Sequence, residues 1–184
     1  MDVVIVLLLG GARSGKSAMA ERLASALAGD RPVTVLATAV VPEGDADMAA
    51  RVAAHRARRP PSWPTVETGP GLVGSLRSAG GTVLVDSLGS WVAGRPEMAA
   101  DGEGLCGALA ARAGDTVVVS EEVGLGVHPS SAAGRRFRDV LGELNQAVAA
   151  VADEVVFAAA GRALRLVPVD SVVGAVLGAG DDGR

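Results

Sequence analysis

The stretch Gly10-Gly11-Ala12-Arg13-Ser14-Gly15-Lys16-Ser17 decides the fold. It fits G-x-x-x-x-G-K-[ST], a phosphate-cradling P-loop. The residues around it fit as well. Val3-Val4-Ile5-Val6-Leu7-Leu8-Leu9 is an unbroken apolar run, as a strand buried on both faces requires. Ser17 to Ala28 follows, with Met19, Leu23 and Leu27 four apart along one helical stripe. Strand, glycine loop and helix in this order turn backbone N–H groups and the positive end of a helix toward one anion. In that setting Lys16 reaches the β- and γ-phosphates, and the Ser17 hydroxyl ligates Mg²⁺.

Length and composition set the bounds. A chain of 184 residues suits one domain, expected here to span 1–184 with a frayed tail at 178–184. Aromatic residues are 2% of the chain and Tyr is absent, so the core is aliphatic. The net charge of −4 argues against a nucleic-acid partner. The single cysteine, Cys106, excludes an internal disulfide, fits the cytoplasm and reads as a packed, inert thiol. The apolar N-terminus is too short to span a membrane and lacks a basic leader.

Along the chain, strands are expected at Val33–Thr38, Thr82–Asp86 and Thr116–Ser120, with a short one at Trp63–Glu67. Val155–Phe157 and Leu164–Val167 read as a closing hairpin around Gly161. Pro42-Glu43-Gly44-Asp45 reads as a break. A helix capped by Asp45 or Asp47 is expected to run to about Arg59, where Pro60-Pro61 stops it. Further helices are expected at Gly71–Ala79, Gly104–Ala113 and Arg135–Ala152, the last with Phe137, Leu141, Leu144, Val148 and Val151 inward. Residues 94–103 read as a loop. Val83-Leu84-Val85-Asp86 is the second P-loop feature: a buried strand ending in a carboxylate that holds Mg²⁺ beside the phosphates. Glu121 and Glu122 end another strand on the edge where open α/β sheets place their sites.

The segment before Pro60 adds unusual chemistry. Met48, Val52, His55 and Arg59 share one helical face, with Arg51, Arg56 and Arg58 beside it. Arginines grip di- or triphosphates with charge-assisted forks, and imidazole is a competent nucleophile toward phosphorus. On the residues alone this is a small P-loop enzyme that transfers a phosphorus group; a solvated basic helix with an incidental histidine is the bland alternative.

These strings together carry a resemblance. GGARSGKS at 10–17, Ala37-Thr38-Ala39, the segment 47–60, Trp63, Glu67, Val85-Asp86-Ser87-Leu88, 120–126 and the helix from Phe137 to Asp153 occur in one order. Over about residues 5–166 the chain closely resembles the bifunctional adenosylcobinamide kinase / adenosylcobinamide-phosphate guanylyltransferase family of cobalamin biosynthesis. The resemblance implies an α/β, RecA-like P-loop NTPase fold, a mostly parallel sheet flanked by helices. It implies phosphorylation of the aminopropanol hydroxyl of adenosylcobinamide with ATP or GTP. GMP then passes from GTP to that phosphate through a guanylylated histidine, giving adenosylcobinamide-GDP and pyrophosphate. By this likeness His55 is the nucleophile, and Gly10 to Ser17 hold nucleotide phosphates with Lys16 catalytic. Thr38, Ala39, Arg56, Ala57, Arg58, Arg59, Glu67 and Asp86 complete the nucleotide site, Ser17 and Asp86 hold Mg²⁺, and the assembly is a homotrimer.

The chain departs from the family pattern at four places. Glu121 stands where Asn is common, Ser87 where Cys is common, and Gly126-Val127-His128-Pro129 replaces Gly-Ile-Val-Pro. Some members carry a histidine where this chain has Ala54. Two other functions would use part of the pattern: a kinase without the guanylyl step, and a non-catalytic nucleotide- or corrinoid-binding module.

Overall fold

Each apolar run becomes a strand of one sheet, because its side chains are apolar toward both faces and helices cover both. The computed structural model describes residues 3–41 and 44–178. The strands are β1 (Ile5–Gly10), β2 (Thr34–Ala37), β3 (Thr65–Glu67), β4 (Val83–Asp86), β5 (Thr116–Glu121), β6 (Glu154–Ala159) and β7 (Arg162–Leu166). The helices are α1 (Lys16–Ala28), α2 (Ala46–Arg58), α3 (Leu72–Ser78), α4 (Leu88–Ala93), α5 (Gly102–Ala110), α6 (Ala132–Val151) and α7 (Val169–Gly178). The expected break at Pro42-Glu43 and the tail from 179 onward lie outside the described residues.

The seven-stranded sheet has the order β3-β2-β4-β5-β1-β6-β7. All neighbours are parallel except the β6–β7 hairpin, which turns at Ala160-Gly161 as expected. One strand, β5, separates the P-loop strand β1 from β4 and its terminal Asp86. The period of two divides each central strand between two cores. Leu7, Leu9, Val85 and Val118 pack with Leu72, Leu76, Trp91, Leu105 and Leu141 from α3 to α6. Val6, Leu8, Leu84, Val117 and Val119 pack against α1.

Three expectations change. The fully buried stripe of α1 is Ala20, Ala24 and Ala28, while Met19, Leu23 and Leu27 pack beside it only partly buried. Alanines let the helix lie close to the strands, so the larger side chains splay to its flank. Two helices went unread, α4 directly after Asp86 and α7 at the end of the described chain. The loop expected at 94–103 contains a 3₁₀ turn at Pro96–Met98 and gives way to α5 at Gly102, capped by Asp101.

Candidate active site

Parallel strands deliver their C-terminal residues to one edge. Register pairs Gly10 with Glu121 and Ala37 with Asp86, so the P-loop and both carboxylates emerge side by side. A cleft of about 1540 Å³ opens there, with residues of α2 lining it.

The P-loop keeps its shape through its backbone. Gly15, at φ 93°, takes a left-handed conformation that a side chain disfavours. The Gly161 N–H donates to the Ser14 carbonyl at 2.9 Å, tying the loop to the β6–β7 turn. Lys16 Nζ donates to the Gly11 carbonyl at 3.2 Å and lies 3.6 Å from Glu121 Oε1.

Helix α2 starts at Asp45, whose side chain accepts from Met48 N–H at 2.9 Å, resolving the choice of cap. Its expected face points inward: Met48, Val52, His55 and Arg59 are the partly buried positions. None of its described side chains is fully buried, and ion pairs fasten it to its neighbours. Arg56 pairs with Glu67, Arg58 with Glu21 at 3.3 Å, and Arg59 with Asp86 and, at 3.6 Å, Glu21.

His55 Nδ1 lies 3.3 Å from Asp86 Oδ2, the same oxygen that Arg59 reaches. Burial disfavours the charge on Asp86. The hydrogen bond with His55 and the Arg59 guanidinium outweigh it and hold the carboxyl below its ordinary value. An ionised carboxylate only accepts, so Nδ1 is the donor in this contact, and in the neutral ring Nε2 is the nitrogen that carries the lone pair.

The cleft brings together Ala12 to Ser17, Ala39, His55, Arg56, Arg58, Arg59, Glu67 and Asp86. Gly10 and Gly11 are not among the residues that line the cleft, and Ala57 lines a neighbouring hollow with Pro60, Pro61 and Trp63. Thr38 is buried and acts on the site indirectly. Its hydroxyl donates to the Ser87 carbonyl at 2.6 Å and accepts from Ser87 N–H at 3.0 Å, fixing the residue after Asp86. His128 is exposed and outside the cleft. Sequence reasoning left Ser87, Ser90 and Glu121 out of the site, although all three line it. The one signal was Glu121's place at a strand's C-terminal end.

The donors suit a hard cation such as Mg²⁺. The Asp86 carboxylate and the Ser17 hydroxyl both line the cleft, and such an ion takes few protein oxygens beside phosphates and water. Among the described residues no three His, Cys, Asp or Glu side chains gather as a metal cage.

A P-loop, a strand-end aspartate and an arginine-flanked histidine in one cleft define a nucleotide-dependent transferase of the P-loop class. The family model for "Cobinamide kinase / cobinamide phosphate guanyltransferase" matches residues 6–166. A "Bifunctional adenosylcobalamin biosynthesis protein CobP" of Pseudomonas aeruginosa is 42% identical over 171 residues, covering 87% of this chain and 95% of the relative. The similarly named CobU proteins of Escherichia coli and Salmonella typhimurium are 34% and 33% identical, each covering 89% of this chain and 99% of the relative. The chain belongs to the cobinamide kinase / cobinamide phosphate guanyltransferase family. It is thus an enzyme of cobalamin biosynthesis with those two activities, and nucleotides are among its substrates.

Proposed function

We propose that one cleft carries both reactions, with a division of labour between the P-loop and α2. In the kinase step Gly10 to Ser17 cradle the phosphates of ATP or GTP, and Lys16 stabilises charge on the transferring phosphoryl group. The acceptor hydroxyl of adenosylcobinamide forms the new P–O bond as the bond to the nucleoside diphosphate breaks. Ser17 and Asp86 would hold Mg²⁺, which would neutralise phosphate charge, and His55 and Arg59 both contact Oδ2 of Asp86. In the guanylyl step His55 Nε2 attacks the α-phosphorus of GTP. The Nε2–P bond forms, and the P–O bond to pyrophosphate breaks. A phosphate oxygen of adenosylcobinamide phosphate then takes the GMP, and the P–N bond breaks. Arg56, Arg58 and Arg59 grip the polyphosphate, and Arg59 Nε is a buried N–H without a hydrogen-bond partner among the described residues.

The observation that carries this reading is the His55–Asp86 contact at 3.3 Å within a P-loop cleft. It supports the reading of His55 as a nucleophile beside the phosphate-binding loop, attacking through Nε2. A single domain in the cytoplasm, assembled as a homotrimer, completes the proposal; no helix among the described residues is long and apolar enough to cross a membrane.

The test uses GTP labelled in its α-phosphate, with Mg²⁺. Wild type should acquire label that resists alkali and is released by acid, as a phosphoramidate is. His55→Asn should acquire none, lose guanylyl transfer and retain a substantial part of the kinase activity. Equal labelling of His55→Asn would move the nucleophile elsewhere, with His128 the next candidate. Loss of both activities in a folded protein would make His55 a general nucleotide-positioning residue.

A further inference from the structure

Glu121 is built into the cleft more firmly than any role given so far requires. Its Oε2 accepts from the Gly89 N–H at 3.0 Å, and the Ser87 hydroxyl donates to the carboxylate at 3.0 and 3.1 Å. A Cβ at residue 89 would lie 2.0 Å from Oε2, so the close approach depends on glycine there. The Glu121 main chain is held as well. Its carbonyl accepts from Asn145 Nδ2 at 3.0 Å, and the buried Asn145 accepts from Ser120 Oγ at 2.6 Å. Ser87, the residue after Asp86, and Glu121, the last residue of β5, therefore touch each other. Oε1, the oxygen that accepts from Ser87 at 3.0 Å, also lies 3.6 Å from Lys16 Nζ.

We propose that Glu121 is a positioning residue for the kinase step: its carboxylate holds Lys16 Nζ against the Gly11 carbonyl and competes with nucleotide phosphates for that ammonium. A nucleotide that draws Lys16 away must also accept a negative charge nearby. An amide in place of Glu121 preserves the acceptor for Gly89 N–H and removes the competing charge. This carboxylate thereby weakens binding of the bare nucleotide, and divalent cations, by neutralising phosphate charge, relieve the penalty. The pair is partly exposed, with side chains 12% and 28% accessible, so the effect is modest, about fivefold.

The inference rests on Lys16 meeting the nucleotide phosphates, and the experiment separates the two. Titration calorimetry measures ATP affinity with excess EDTA and with Mg²⁺, for wild type, Glu121→Gln, Lys16→Ala and the double variant. Glu121→Gln should bind ATP about fivefold tighter in EDTA, by loss of a partly screened pair, with a smaller gain in Mg²⁺. That gain should shrink in the Lys16→Ala background. If Glu121→Gln fails to fold, Glu121→Asn, which also removes the charge, takes its place with the same expectation. An unchanged or weakened affinity in EDTA, or a gain of equal size without Lys16, would overturn the role of Glu121. Full ATP affinity in Lys16→Ala would instead overturn the P-loop reading beneath it.

Discussion

Asp86 illustrates how one side chain ties chemistry to folding. Its carboxyl is held below the ordinary value of 3.8. A group with a depressed folded-state pKa adds stability that is fully present above the unfolded value and is lost as pH falls through the folded one. The stability advantage of wild type over Asp86→Asn should therefore hold near neutrality and narrow once pH drops below 3.8, which urea midpoints across that range will show. Lys16 makes a purely catalytic prediction. Lys16→Ala should lower the kinase turnover about 100-fold or more, with circular dichroism unchanged, because it removes a charge aimed at the transferring group. Lys16, Ser17 and Asp86 were legible in the sequence because the P-loop pattern and the apolar run before Asp86 are local. The Thr38–Ser87–Glu121 connection was not. Its partners lie 49 and 34 residues apart, and no spacing rule announces a contact made by strand order.

At the scale of the element, sequence was most informative where burial is two-sided. The central strands β1, β4 and β5 fell within a residue or two of expectation, since only an unbroken aliphatic run survives between two helical layers. Helix α2 and its inward face were legible from the spacing of Met48, Val52, His55 and Arg59. Helix α4 escaped because six residues hold too little period to recognise, and its cap, Ser87, follows directly on the strand ending at Asp86. Helix α7 escaped because its valine-rich composition favours a strand by propensity alone. The start of α6 was placed late for another reason: the cap is Ser131, whose side chain accepts from Gly134 N–H at 3.0 Å, and the amphipathic stripe becomes visible only at Phe137. Ser131→Ala should cost about 1 kcal/mol in a denaturation experiment, leaving the site's geometry and both activities in place.

Across the whole molecule, two faces are unlike the rest. On β7 and α7 the residues Leu164, Leu166, Val169, Val172, Val173, Val176 and Leu177 are all exposed. So much aliphatic surface on neighbouring elements suits contact with other copies of the chain. Light scattering should give three chain masses across a wide concentration range, and a Val173→Asp/Val176→Asp double variant should shift the distribution toward smaller species. The second face is α2, fastened by ion pairs rather than by a buried stripe. Elements secured in this way open at a free energy well below that of global unfolding. The backbone amides of 46–58 should exchange with deuterium orders of magnitude faster than those of β1 and β5. Their protection should fall as salt screens the more exposed Arg56–Glu67 and Arg58–Glu21 pairs. On the proposed mechanism the nucleophile rides on an element fastened by ion pairs, while the phosphate cradle follows a strand that is buried throughout. Ionic strength then becomes a dial that slows guanylylation before it touches phosphorylation.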